Sequence, residues 1–286
     1  IIPHKMKIIL LFLHLCCCWA LSAQSFTKEV PFELKGKVKM LYTTIESLNP
    51  EITLDQNNDL YKHQKVYFDE QGKVVSRTLY KDDGQEGGTQ VFSFDKKGFL
   101  TEMKITDKNN LLANEVRTLV YNKKKTEAIA KRFVVAEMHT VYPTKYVFDK
   151  RKRPIEITDY FPNEKDIIQK ERFEYNAAGK ITANIKERMN GSVVISTFLT
   201  YNAQNQIVKE LTEVTQNGST IYKLEATFAY TDKMGFPTEQ VTVINGGAPT
   251  RCSYEYQWDA KGNWTEKRFV VNGKPMAAVK REITYY

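Results

Sequence analysis

The sequence predicts an all-β fold, an antiparallel meander of stacked β-hairpins built from eight ~27-residue repeats. Three observations carry that prediction. A short unit recurs through most of the chain: an aromatic, any residue, a second aromatic, Asp or Asn, a polar run, usually Gly, then a new strand. Between these units apolar and polar residues alternate with period two, the signature of strands with one buried face. Asn-Gly pairs, the strongest short hairpin signal, stand between alternating segments at Asn190–Gly191, Asn217–Gly218, Asn245–Gly246 and Asn272–Gly273. The sharpest copy of the unit is residues 256–267, with Tyr256, Trp258, Asp259, Gly262 and Trp264.

At the N-terminus, residues 1–23 read as a secretory signal peptide. Met6 is the first Met, so residues 1–5 read as an upstream extension. Lys7 supplies the charge, and the apolar run over residues 8–20 is short for a membrane span. Leu21, Ser22 and Ala23 end it, with cleavage expected after Ala23 and Ala20 as the alternative. Cys16, Cys17 and Cys18 lie inside the run and read as apolar filler, with lipid attachment as the other reading. Removing residues 1–23 leaves Cys252 as the single cysteine, so no internal disulfide is expected. The whole chain carries +8; without residues 1–23, 40 basic residues face 34 acidic ones, a net +6. The basic residues interleave with acids along the strands, which points to solvated turns and strand edges, with an anionic envelope surface or glycan as the other reading. No nucleic-acid partner and no membrane span after cleavage are expected.

Residues 24–60 read as a lead-in strand (35–45) followed by a polar connection that holds Asn49–Pro50 and Asn57–Asn58. The repeat domain follows, residues 61–286. The second aromatic of each unit falls at Phe68, Phe94, Tyr121, Phe148, Tyr175, Tyr201, Tyr230 and Trp258. Asp69, Asp95, Asn122, Asp149, Asn176, Asn202 and Asp259 follow at once; after Tyr230, Thr231 intervenes before Asp232. Such a side chain opens a turn by bonding to backbone ahead of it. Gly72, Gly98, Gly179, Gly235 and Gly262 then supply the positive-φ position, where Lys125, Lys152 and Asn205 stand in other copies. Two aromatics two residues apart share a strand face. Tyr222, Leu224, Ala226, Phe228 and Tyr230 are thus expected on one face, as are Cys252, Tyr254, Tyr256 and Trp258. The least strand-like stretch is 126–138, where a helical turn is admissible.

One apolar face over so many strands must be covered. Closing the sheet would make a ring roughly 30 Å across, too wide for side chains to fill. The expectation is therefore a coiled, flattened shell or open barrel with the aromatic ladder inside, its first and last strands left as edges.

The units Tyr67-Phe68-Asp69-x-x-Gly72, Phe173-Glu174-Tyr175-Asn176-x-x-Gly179 and Tyr256-Gln257-Trp258-Asp259-x-x-Gly262 resemble the YD repeats of bacterial RHS-type proteins. The resemblance implies strand-turn-strand units spiralling into a β-shell, over roughly residues 61–286. The chain departs from that pattern in its longer period, in the scarcity of Arg after the Gly, and in lacking a toxin segment after Tyr286. It resembles a small stand-alone exported member, and the resemblance implies no activity.

Catalytic and metal signals are weak. His63 and His139 lie among polar neighbours, and no spacing joins them to Cys252 as a zinc site. Cys252 is expected on the aromatic face as a small hydrophobe. One Asp or Asn per turn, often beside Lys, suits turn formation and not a calcium ladder. The segment 82–86 gathers several oxygens without calcium-ligand spacing. No Asp/Glu pair stands out for paired-carboxylate hydrolysis. No catalytic residue, metal ligand or cofactor is marked. Trp258 fits the aromatic ladder, which leaves Trp264 as the candidate exposed ring for ligand contact. The leading reading is an exported, non-catalytic binding or scaffold protein of the bacterial envelope, periplasmic, surface or secreted, with a glycan or envelope protein as partner. An envelope glycan hydrolase is the alternative, and assembly or immunity beside an RHS-like system a third.

Overall fold

The computed structural model describes residues 34–49, 63–81, 83–107, 114–134, 140–188, 192–231 and 234–286. The signal segment, Cys16 to Cys18, Asp82, His139, Asn190–Gly191 and Asp232 lie outside the described residues.

Among the described residues there is no helix. Eighteen strands follow one another: β1 (Val38–Ser47), β2 (His63–Phe68), β3 (Val74–Tyr80), β4 (Glu86–Phe94), β5 (Leu100–Asp107), β6 (Glu115–Tyr121), β7 (Glu127–Val134), β8 (Val141–Phe148) and β9 (Pro154–Tyr160). Then come β10 (Ile167–Tyr175), β11 (Ile181–Arg188), β12 (Val193–Tyr201), β13 (Ile207–Gln216), β14 (Ser219–Ala229), β15 (Glu239–Ile244), β16 (Thr250–Trp258), β17 (Trp264–Val271) and β18 (Lys274–Tyr285). All belong to one sheet, and β1 pairs antiparallel with both β2 and β18. The meander is therefore closed into a β-barrel, which corrects the open shell expected from the sequence. The reason is backbone hydrogen bonding: pairing of the first strand with the last removes the two edges that an open sheet would present. A second correction concerns 126–138, where β7 is a strand through Val134.

Six of the Asp or Asn turns share one hydrogen-bond pattern, and the Asn122 turn is a variant that closes onto Glu127, five residues on, at 3.1 Å. In each of the six, the backbone N–H of the Asp or Asn donates to the carbonyl of the residue entering the next strand, as in Asp69 to Lys73 at 2.9 Å, Asn176 to Lys180 at 2.9 Å and Asp259 to Asn263 at 2.8 Å. The residue three positions on donates back to the Asp or Asn carbonyl, as Gly72, Gly98, Gly179 and Gly262 do. The side-chain Oδ1 accepts from backbone N–H groups two and four residues ahead, for example Lys97 and Phe99 onto Asp95, both at 2.9 Å. Asp149 and Asn202 bind the backbone in the same way. The fourth position has positive φ whether or not it is Gly, including Lys125 (52°), Lys152 (64°) and Asn205 (58°). At the other strand ends, Asn217–Gly218 and Asn272–Gly273 form two-residue turns with positive φ at both positions, between β13 and β14 and between β17 and β18. Asn245–Gly246 instead begins a longer connection, with the Asn245 Oδ1 accepting from Lys223 N at 2.7 Å.

The chain comprises two compact units, one of the residues up to Val116 with Glu255–Tyr286, the other of Arg117–Tyr254. In the first, Val38, Leu41, Val66 and Phe68 form a buried cluster, with Leu34, Val74, Ile283 and Tyr285 packed against it. Leu41 is wholly buried, a contribution of about 1.5–3 kcal/mol. In the second, the register places Tyr146 opposite Ile157, and Thr197, Thr212, Leu224 and Ile244 in one row across β12–β15. Tyr146, Phe148, Phe173, Leu224, Ala226 and Tyr254 are buried there. Both units thus have one buried and one wet face.

Candidate functional site

The buried face of the second unit is not uniformly apolar. Thr144, Asp159 and Gln169 stand opposite one another on β8, β9 and β10. Thr144 Oγ1 donates to Asp159 Oδ1 at 2.5 Å and Gln169 Nε2 donates to Asp159 Oδ2 at 2.5 Å. On the next strands Asn184 Nδ2 donates to Glu171 Oε1 at 2.8 Å. Thr197 and Thr212 share a hydroxyl hydrogen bond of 2.9 Å, and Thr212 donates to Glu210 Oε1 at 3.3 Å. Gln240 receives the Tyr254 hydroxyl and donates to Thr242 at 3.2 Å. Burial raises the Glu210 carboxyl above its ordinary range, partly offset by Thr212. Tyr222 lies near it; burial first, then the Glu210 charge, raises its phenol, whose oxygen is buried without a partner. This belt of cross-strand side-chain bonds was not visible in the sequence, since it depends on which residues the register sets opposite each other.

Nearer the tight turns, tyrosines tie successive hairpins together. Tyr175 donates its hydroxyl to Pro154 O at 2.7 Å, Tyr201 to Ile181 O at 2.7 Å and Tyr230 to Ile207 O at 2.8 Å. Each acceptor is the first residue of the strand after the preceding turn. Burial pushes the Tyr175 and Tyr201 phenols up to about 12, so both remain protonated donors at neutral pH.

The opposite face carries cross-strand ion pairs. In the second unit these are Lys145–Glu127 (3.2 Å), Lys170–Glu156 (2.8 Å), Arg172–Glu187 (2.6 Å), Lys209–Glu225 (3.4 Å), Lys223–Glu213 (3.8 Å) and Arg251–Glu239 (3.0 Å), with Lys223 also pairing along its own strand with Glu225 at 3.0 Å. In the first unit Lys280 pairs with Glu46 and Arg268 with Glu266 on the same wet face. An aromatic cluster also lies there: Tyr42 and Tyr80 meet edge to face at 6.2 Å, and Lys65 Nζ stands 5.0 Å and 5.4 Å from their ring centres. Tyr67 is exposed on the same face.

Trp264, the expected exposed ring, is buried at 8 % exposure, which corrects that expectation. Arg281 covers one ring face at 3.4 Å and Tyr256 meets it edge on at 6.4 Å. The tight turn before it explains this: Trp264 is the first residue of β17, the position that also buries Leu100 and Pro154 at the start of β5 and β9. Asp259 is held by backbone N–H groups of Lys261 and Asn263, both at 2.9 Å, and by the Tyr285 hydroxyl. Cys252 is half-buried opposite Gln240, and His63 lies on β2 opposite Tyr80 with Nδ1 buried. In the acidic loop, Asp83 Oδ1 accepts from Gln85 N at 2.8 Å, a turn bond. Among the described residues no cluster of three or more His, Cys, Asp or Glu is placed to hold a metal.

No family model matches the sequence, and no curated protein matches it. Among solved structures the chain is similar to a porin-like protein from Bacteroides uniformis, with 11 % identity and TM-score 0.44, over 88 % of this chain and 98 % of that one. It is similar to a porin-like protein from Bacteroides vulgatus, with 12 % identity and TM-score 0.39, over 88 % and 99 %. It is also similar to a chain of TcdB2-TccC3-Cdc42, with 14 % identity and TM-score 0.33, over 79 % of this chain and 16 % of that one. At these values the likenesses assign no function.

Proposed function

We propose that the chain is an exported, non-catalytic β-barrel of the bacterial envelope that works in water as a binding or scaffold module. The observation that carries this reading is the ion-pair lattice on the wet face. A lipid-facing barrel surface is an apolar band, and each Lys or Arg at its midplane costs about 2–4 kcal/mol. Lys170, Arg172, Lys209 and Lys223 with their acidic partners suit water instead. The inward acids Asp159 and Glu171 are engaged by neighbouring amides and a hydroxyl, a structural use of carboxylates. The partner we propose is an envelope glycan, received on Tyr42, Tyr67 and Tyr80 with Lys65, where ring faces stack on sugar C–H groups and the ammonium answers anionic substituents.

Two measurements test this. The full chain should fold and stay soluble without detergent; recovery only in detergent micelles would overturn the water-facing reading. It should also co-sediment with purified peptidoglycan sacculi, and a Tyr42→Ala/Tyr80→Ala variant should lose most of that binding. Equal binding by the folded variant would remove the aromatic patch from the proposal.

A second reading, a glycan hydrolase, draws on one observation: the half-buried Glu210 with its raised carboxyl beside Tyr222 has the character of a general acid. Release of reducing ends from sacculi by the wild type and not by Glu210→Gln would replace the non-catalytic reading.

A further inference from the structure

Arg77 sits in the middle of β3 on the buried face of the first unit, with 8 % of its surface exposed. The register puts Val66 on one side, itself wholly buried, and Gln90 on the other, with Ile105 beyond Gln90. A guanidinium brings five N–H donors and a full charge into this position. Its one hydrogen-bond partner among the described residues is Gln90 Oε1, 3.5 Å from Nη1, at the outer limit of a hydrogen bond. Nε is buried with no partner. Burial alone acts on the group, lowering its pKa to about 10, and no carboxylate offsets it. Two half-buried arginines differ in having a ring or a carboxylate against them. Arg281 lies against the Trp264 ring, and Arg153 is bidentate to Asp149 at 2.8 and 2.5 Å.

An uncompensated buried charge is among the costliest features a fold can keep. A guanidinium whose Nε is free and whose Nη1 is held only at 3.5 Å presents the planar fork that matches carboxylate and phosphate oxygens two at a time. Gln90 adds an amide that can donate to the same oxyanion from its Nε2 while its Oε1 faces Arg77. We propose that Arg77, with Gln90, is a binding site for a small oxyanion, a carboxylate, phosphate or sulfate group, on the inner face of the barrel. The site is independent of the wet-face patch, so either proposal can fail alone.

The test is thermal unfolding of the full chain in sodium chloride, acetate, phosphate and sulfate at matched ionic strength, for wild type, Arg77→Met and Arg77→Lys. Phosphate and sulfate stabilise many proteins non-specifically through exclusion from the surface, so the quantity that matters is the difference between wild type and Arg77→Met. A specific site raises the wild-type midpoint in a saturable way, by mass action on the folded state. That increment should vanish in Arg77→Met and be much reduced in Arg77→Lys, which keeps the charge and loses the fork. A saturable response to acetate alone identifies a carboxylate ligand; one to phosphate and sulfate identifies a tetrahedral oxyanion. If Arg77→Met fails to fold in chloride, the comparison passes to Arg77→Lys, and an unreduced response there overturns the site. Equal responses in wild type and variants, or no response in any salt beyond chloride, also overturn it.

Discussion

The Asn263 side chain holds the backbone of Lys35 at both polar groups. Its Oδ1 accepts from Lys35 N at 2.6 Å and its Nδ2 donates to Lys35 O at 2.9 Å. Nδ2 also donates to the Tyr285 hydroxyl at 2.7 Å, and Tyr285 in turn donates to Asp259. The amide acts as a one-residue strand, joining the entry to β1 with the last tight turn and with β18. Asn263 is 2 % exposed, so the pairing is shielded from water.

Replacing Asn263 with Ala would leave the Lys35 N–H and C=O and the Tyr285 hydroxyl short of partners. The expected loss is about 2–3 kcal/mol, at the upper end for stranded buried groups, measured as a lower urea midpoint with unchanged slope. Asn263→Asp keeps the acceptor but removes both donors and sets a second carboxylate beside Asp259, so its deficit should shrink in acid.

Acid should weaken the fold through its turns. For Asp149 and Asp259 burial is the largest influence and raises the pKa. The combined hydrogen bonds outweigh it, from Arg153 and its backbone in one case and from Tyr285, Asn263 and Lys261 in the other, so both carboxyls fall below the ordinary value. A carboxyl depressed in the folded state stabilises above its unfolded pKa, about 4, and that contribution disappears as pH falls through the folded value. Stability should therefore be flat in these groups above about pH 5 and fall below pH 4. Asp149→Asn should be less stable than wild type at pH 7, with the gap narrowing in acid denaturation series.

The tyrosine ties predict the opposite limb of the pH profile. A phenol raised to about 12 in the folded state contributes its full stability below the unfolded value near 10 and loses it as pH rises from there through the folded value. The sign follows from proton count: between those values the folded protein keeps a proton that the unfolded chain has lost, so the energy of folding is penalised there and the tie is fully effective only below pH 10. Absorbance titration at alkaline pH should show Tyr175 and Tyr201 ionising late, only as the fold opens. Tyr201→Phe removes the bond to Ile181 O and should cost about 1 kcal/mol or somewhat more.

Lys125 occupies a left-handed position, which costs a side-chain-bearing residue about 1–2 kcal/mol. Lys125→Gly should stabilise the protein by a few tenths to about 1 kcal/mol, the gain reduced by the freer unfolded chain and by loss of the Lys125 contact with the Tyr121 ring. Gly262→Ala, at φ 77°, should destabilise by about 1 kcal/mol. Thermal midpoints of the two variants should move in opposite directions.

Deleting residues 1–47 removes β1 and should expose β2 and β18 as unpaired edges. Such edges associate, so the truncated chain should form concentration-dependent oligomers in analytical ultracentrifugation. A stable monomer would mean that closure through β1 is dispensable.

Much of this architecture was legible in the residues alone. Asp69, Asp95, Asp149, Asn176, Asn202 and Asp259 announce their turns because the bonds they make run two and four residues ahead, within reach of the local sequence. Strand faces were legible for the same reason, since alternation is a property of neighbours: Leu224 and Ala226 are buried on the face assigned to them. Tertiary structure decided what lies opposite what. Lys35 and Asn263 are 228 residues apart, and nothing near either one names the other. The pairing of β1 with β18, the burial of Trp264 under Arg281, the acceptors of Tyr175 and Tyr201, the amide and hydroxyl belt around Asp159 and Glu171, and the unpaired charge of Arg77 all arise from register between strands. A period of two determines which side a residue faces; only the closed ladder of backbone hydrogen bonds determines which side chains it meets there.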